Sequence, residues 1–141
     1  MRDVRTIELE IPNDVNEIER VVELIRRECA AMHFTSRQLM LNVPVALTEA
    51  LSNAILRGNA EDPDKRVRVN ARVDEVTLVV EVMDEGIGFD IERCTVDPTT
   101  PERLQSEDGR GLFLMRKLMD RVEQIPGRGG NVIRLTLRRA S

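Results

Sequence analysis

The stretch Glu49-Ala-Leu-Ser-Asn53-Ala-Ile-Leu-Arg57-Gly58-Asn59 decides how this chain is read. Leu47, Leu51 and Ile55 recur at the spacing of one helical face. Glu49 and Asn53 lie one turn apart, about 40° round the axis from each other at 3.6 residues per turn, and point elsewhere. Gly58 and Asn59 supply the stop. Glu49 is the only charged residue between Gln38 and Leu56. A solvated helix face normally carries several charges, so both sides of this helix are expected to be covered, one by core and one by a ligand or flap. An amide carbonyl is a hard oxygen ligand suited to Mg²⁺, and a neighbouring carboxylate can take the proton of a hydroxyl or water attacking a phosphoryl group. By themselves the two residues equally suit a core amide bonded to backbone and an exposed acid.

Outward from that stretch, the helix is predicted to begin near Thr35, with Gln38 three residues on, and to reach Arg57. Pro44 lies inside it and removes the bond to the Met40 carbonyl, so a kink is expected there. An earlier helix is predicted from a capping box at Asp14 and Glu17 to about His33. Its apolar face is Val15, Ile18, Val22, Ile25, Cys29 and Met32. Ahead of it, residues 5–11 alternate apolar and charged positions as a half-buried strand does, and Pro12 ends them.

Beyond it, Val67, Val69, Ala71 and Val73 alternate with polar residues. After a tight Asp74-Glu75 turn Val76, Leu78, Val80 and Val82 do the same, which predicts a hairpin. The second strand runs into Asp84-Glu85-Gly86-Ile87-Gly88. The glycines let backbone approach a ligand without a Cβ, and a carboxylate at Asp84 would accept a hydrogen bond from the amino group of adenine while repelling the carbonyl of guanine. ATP is therefore expected over GTP, although the motif alone also suits a plain turn. Residues 89–108 show little periodicity and contain Pro98 and Pro101, as a functional or disordered loop does. Gly109-Arg110-Gly111-Leu112 then stands ahead of a predicted helix marked by Leu112, Met115, Met119 and Val122, where bared amides would favour phosphate. Ile133, Leu135 and Leu137 mark a last strand after a turn at residues 127–130.

At 141 residues the chain suits one domain. Aromatic residues make up only 2% of it, so stacking on bases is not expected, and with a net charge of −4 and no dense Lys/Arg block neither is nucleic-acid binding. Cys29 and Cys94 have no disulfide or metal spacing, which fits free thiols in a reducing cytoplasm. No apolar run is expected to reach membrane-spanning length. His33, the only histidine, falls at a helix end, and the chain lacks the paired helix that a phosphoaccepting histidine would need. The dinucleotide fingerprint and the Walker A pattern are both absent.

The three boxes, in this order and with a long loop between the second and third, resemble the GHKL ATPases of the Bergerat fold. Within these they resemble the small anti-sigma-factor serine/threonine-protein kinases, and the likeness covers essentially the whole chain. It implies an α+β fold: a two-layer α/β sandwich whose mixed, mostly antiparallel sheet carries helices on one face. Residues 1–141 would form a single histidine-kinase-like ATPase domain with an ATP lid at about 89–108. Glu49 would be the catalytic base and Asn53 the Mg²⁺ ligand. Arg57, Asp84, Gly86, Gly88, Gly109, Arg110, Gly111 and Leu112, with Asn53, would bind ATP. The implied partners are a sigma factor and a small antagonist protein that the kinase phosphorylates, in a cytoplasmic partner-switching circuit, with the chain a homodimer. A nucleotide-binding interaction module without phosphotransfer and a simple ATPase are the alternatives. Two positions depart from the family pattern: Arg57 precedes Gly58 where His-Gly is frequent, and Val132 aligns with a hydroxyl residue, which implies one polar contact fewer at adenine.

Overall fold

A computed structural model describes residues 3–86, 107–127 and 130–141, with side chains described except at 107–110 and 126–127. The chain starts on β1 (Arg5–Pro12) and turns through a short 3₁₀ segment, Val15–Glu17, into α1 (Ile18–Ala31). Asp14 caps this entry by accepting from the Asn16 N–H at 2.9 Å. The expected reciprocal box is not made: the Asp14 N–H goes to the Pro12 carbonyl and Glu17 pairs with Arg20. Val15, ahead of the helix proper, is exposed, while Ile18, Val21, Ile25 and Cys29 form the buried face. At the other end the N–H of Phe34 bonds to the Cys29 carbonyl and that of His33 to Ala30, each at 3.1 Å. His33 has φ 66°. This is the Schellman arrangement, with histidine in the left-handed position that glycine usually takes.

The decisive helix follows. Thr35 Oγ1 accepts from the Gln38 N–H at 3.2 Å and the Gln38 side chain accepts from the Thr35 N–H at 3.3 Å, a reciprocal capping box. The helix core, α2 (Val43–Asn53), is continued on both sides by π-helical turns at Gln38–Asn42 and Ala54–Gly58. It passes through Pro44 without a break, because the first wide turn, closed by the Val43 N–H on the Gln38 carbonyl, relaxes the α-helical register where proline offers no N–H. By length and composition the helix Gln38–Gly58 would reach across a membrane, contrary to expectation. Its Val43, Ala46, Leu47, Ala50, Leu51, Ala54 and Ile55 are sealed in the core, the one-sided burial of a core helix.

The hairpin forms as expected from β2 (Arg66–Val73) and β3 (Thr77–Met83). Asp74 closes its turn by accepting the N–H groups of Val76 and Thr77. After the described residues resume, α3 (Glu107–Leu118) leads into β4 (Arg121–Gly127) and β5 (Gly130–Arg138). The sequence reading named no strand over β4 and counted Val122 on the preceding helix. The helix ends at Leu118 and Val122 pairs with Leu135 in the sheet. Gly109 and Gly111, expected ahead of the third helix, lie within it.

The five strands are ordered β1-β2-β3-β5-β4, and each neighbouring pair is antiparallel, so the sheet is not mixed. Alternation sends Val67, Val69, Val80, Val82, Ile133 and Leu135 to one face. There they meet Leu47, Leu51, Leu112 and Met115 of the helices in one core. At about 25 cal/mol per Å² of apolar surface removed from water, burial of this aliphatic layer is the main stabilising term. Glu8, Asn70, Glu81, Arg134 and Glu123 lie across the other face, with Arg134 bonded to Glu81 at 2.9 Å. The result is the two-layer α+β arrangement that the motifs imply.

Candidate nucleotide site

Two clusters form around α2, one at its middle and one at its end. At the middle, Glu49 and Asn53 face α3. A Cβ built on Gly111 would fall 2.6 Å from Glu49 Oε2 and 3.7 Å from Asn53 Nδ2, so the glycine is what lets the two helices close over this pair. Asn53 is 7% exposed, and its Nδ2 is buried with no hydrogen-bond partner among the described residues. A buried amide left unpaired costs about 1–3 kcal/mol. The two ends of a carboxamide are assigned rather than seen, so a half-turn brings Oδ1 to the same place and offers a carbonyl oxygen to a hard cation. These residues therefore fit a magnesium-bound phosphate.

Leu112 and Met115, one turn apart on α3, are 0% exposed and hold the helix down on the core. What Leu112 gives the site is thus the placement of Gly111. Arg57 is exposed on the last turn of the α2 helix. The Arg110 side chain, Gly88 and residues 89–106 of the lid expected at about 89–108 fall outside the described residues, while residues 107 and 108, expected in that lid, belong to α3.

At the end of the helix stands Asp84, 7% exposed, one residue past β3. Its Oδ1 accepts from the Gly86 N–H at 2.9 Å, the Asn131 N–H at 3.3 Å and Asn131 Nδ2 at 3.2 Å. Its own N–H donates to the Asn131 carbonyl at 3.0 Å. Oδ2 lies against Gly58, where a Cβ would come within 2.0 Å of it. A Cβ on Gly86 would overlap the Gly58 carbonyl, and one on Gly130 the carbonyl of Asp84 itself, at 1.2 and 1.7 Å. Glycines from the helix end, the post-strand turn and the start of β5 thus let the backbone close round Asp84, with Gly58 against its carboxylate.

Asn131 carries no signal in the sequence, Gly130 is expected there only as part of a turn, and Gly58 only as a helix stop and the partner of Arg57 in the first motif. The pairing of β3 with β5 brings Gly130 and Asn131 to Asp84, and the packing of the helix end brings Gly58. The same pairing corrects the reading of Val132. Val132 lies opposite Met83 and Ile125 and alternates with the buried Ile133, so it is on the far face of the sheet. The residue beside Asp84 is Asn131, whose N–H and Nδ2 both donate to its carboxylate.

Asn59, fully buried, ties the site to its frame. Its amide donates to Asn13 Oδ1 at 3.1 Å and to the Arg66 carbonyl at 3.0 Å, while its Oδ1 accepts from the Glu85 N–H at 2.7 Å. These bonds hold the chain where Ala60 and Glu61 take positive φ of 51° and 60°. Along the helix, Gly58 stands about 8 Å from Asn53 and about 14 Å from Glu49 at 1.5 Å per residue. The end of the helix thus presents an acceptor suited to a base, and its middle an amide and a carboxylate suited to the distal phosphates.

The fold and this bipartite site define a nucleotide-binding ATPase domain, and comparison with known proteins agrees. The model of the histidine kinase-like ATPase domain family matches residues 11–137, and the chain belongs to that family. A serine-protein kinase RsbW of Bacillus subtilis is 30% identical over 135 residues, covering 92% of this chain and 83% of its own length. An anti-sigma F factor of Heyndrickxia coagulans is 38% identical over 92 residues, 63% of each chain. The aligned region thus spans a little under two thirds of that relative. The solved structure of the RsbU and RsbW domains of a Mycobacterium tuberculosis protein superimposes over 97% of this chain and 33% of that one, with a TM-score of 0.66. At 18% identity this likeness concerns the fold alone.

Proposed function

We propose that this chain is an ATP-dependent protein serine/threonine kinase. It phosphorylates a small antagonist protein, holds a sigma factor when that antagonist is withdrawn, and so acts as an anti-sigma factor in a partner-switching circuit. The observation that carries the reading is the placement of Glu49 beside the Asn53 amide, unpartnered among the described residues, under Gly111 on the same helix whose end meets Asp84. The relatives named serine-protein kinase and anti-sigma F factor support it from sequence.

Asp84 Oδ2 accepts the adenine amino group, and Gly58 and Gly86 keep side chains off the base. Asn53 binds Mg²⁺, which neutralises phosphate charge when present. Glu49 takes the proton of the attacking serine or threonine hydroxyl, and the terminal phosphoryl group passes from ATP to that oxygen, leaving ADP. Gly109 and Arg110 stand in the first turn of α3, where unpaired amides favour phosphate. Phosphorylation adds about −1.5 to −2 charge to the antagonist, which drives it from a protein of net charge −4 and its bound nucleotide. The chain works as a single cytoplasmic domain and as a homodimer.

The test is incubation with labelled ATP and the antagonist-like proteins encoded beside this chain, with mass spectrometry to locate the label. Label on a serine or threonine of one of them is the expected result. Phosphate released only to water would make the chain a simple ATPase, and binding without either activity an interaction module.

A further inference from the structure

The Asp84 carboxylate is fixed by a relay that starts two strands away. Asn131 touches Asp84 three times: its N–H and its side-chain amide donate to Oδ1 of the carboxylate, and its carbonyl accepts from the Asp84 N–H. The two contacts made by the Asn131 backbone, one to the Asp84 N–H and one to Oδ1, would survive any side chain at 131. The Nδ2 contact at 3.2 Å is chosen by the residue type. Its direction is set in turn by Gln124 of β4, whose Nε2 donates to Asn131 Oδ1 at 3.5 Å. With Oδ1 engaged by Gln124, the amide can present only its N–H₂ end to Asp84.

The consequence lies on the other carboxylate oxygen. Oδ1 is saturated by the Gly86 and Asn131 donors, which leaves Oδ2, lying over the open Cα of Gly58, as the oxygen left for a ligand donor. A carboxylate free to rotate would exchange its two oxygens and spread its acceptor direction. Pinned by Oδ1, it offers a single direction. We propose that Asn131 is a positioning residue for base selection: its amide, oriented by Gln124, locks the Asp84 carboxylate so that Oδ2 is aimed at the exocyclic amino group of adenine. The inference rests on the proposed role of Asp84 as the adenine acceptor and adds the residues that make it selective.

The experiment measures the affinity of the full chain for Mg-ATP and for purine riboside triphosphate, which lacks the amino group. Their ratio isolates the contact at issue. In Asn131→Ala the ATP affinity falls roughly tenfold, the effect of a charge-assisted hydrogen bond, while the affinity for purine riboside triphosphate stays near wild type, so the ratio moves toward one. Asn131→Ser, which keeps a short donor, recovers part of the ratio, and Gln124→Ala lowers it less than Asn131→Ala. A merely structural role would weaken both nucleotides together and leave the ratio intact, and that result overturns the proposal. So does an unchanged ratio in Asn131→Ala when Asp84→Asn has abolished it. If Asp84→Asn itself leaves the ratio at the wild-type value, the adenine reading falls and takes the relay with it.

Discussion

Glu49 and Asn53 stand one helical turn apart under the same glycine, yet they are expected to fail differently. Asn53 lies almost buried with an unpaired amide, so Asn53→Ala removes a ligand-facing group and should weaken Mg-ATP binding by calorimetry. Glu49→Ala should leave ATP affinity near wild type and slow phosphotransfer by roughly a hundredfold or more, the usual worth of a general base. Full transfer activity in Glu49→Ala would remove it from the mechanism. Gly58 gives a second residue-scale test. Its φ lies outside the left-handed region, and alanine favours a helix over glycine by about 1 kcal/mol. A Cβ there would nevertheless meet Asp84 Oδ2 at 2.0 Å and push the carboxylate off its donors. Gly58→Ala is expected to lower the unfolding free energy in urea by about 1–3 kcal/mol and to weaken ATP binding roughly tenfold or more. Unchanged ATP affinity would mean that the carboxylate finds another productive position.

At the scale of elements, the helices show where local sequence was enough. Thr35 and Gln38 predicted a cap and make one, because the capping box is a contact between residues three apart and needs no tertiary partner. Asp14 and Glu17 have similar spacing, but a 3₁₀ turn intervenes before α1 and Glu17 pairs forward with Arg20. The left-handed exit of α1 at His33 carries its own prediction. A non-glycine residue there costs about 1–2 kcal/mol relative to glycine, and His33 is exposed. His33→Gly should therefore raise stability toward urea by up to about 1 kcal/mol and leave phosphotransfer unchanged. Loss of transfer in that variant would bring the only histidine back into the chemistry.

Across the whole molecule, the buried layer between sheet and helices sets the pH response. Cys29 is 0% exposed in that layer, and burial, with Glu28 as the smaller cause, pushes its thiol up to about 12. An unfolded cysteine titrates near pH 8.5. The folded state therefore holds the proton more tightly, its contribution is fully present below about 8.5, and it is lost as the pH rises from there toward about 12. Urea titrations should show stability falling over that alkaline window, and Cys29→Val should flatten the fall. Below pH 8 the two proteins should respond to pH alike. Peptide mapping after brief alkylation of the native protein should find Cys29 unmodified, since the thiolate is the reactive form.

What the sequence determined by itself is whatever depends on neighbours a few positions apart. That includes the strands of the hairpin, the extent of the long helix, the sharing of one helical face by Glu49 and Asn53, and the acid-glycine turn after β3. Strand β4 escapes a reading of the sequence because Arg121-Val-Glu-Gln-Ile-Pro-Gly127 has weak alternation and one proline, and it becomes a strand only by pairing with β5. Only the tertiary structure decided which residues meet Asp84. Gly58 comes from a helix end and Gly130 and Asn131 from a distant strand, and the approach of the last two is fixed by the register of β3 against β5. A shift of one residue in that register would turn Asn131 to the far face and bring Val132 to the site, because side chains alternate with a period of two. No local property of residues 131 and 132 records which of them faces inward. That is settled by the burial of Ile133, Leu135 and Leu137 against the helices.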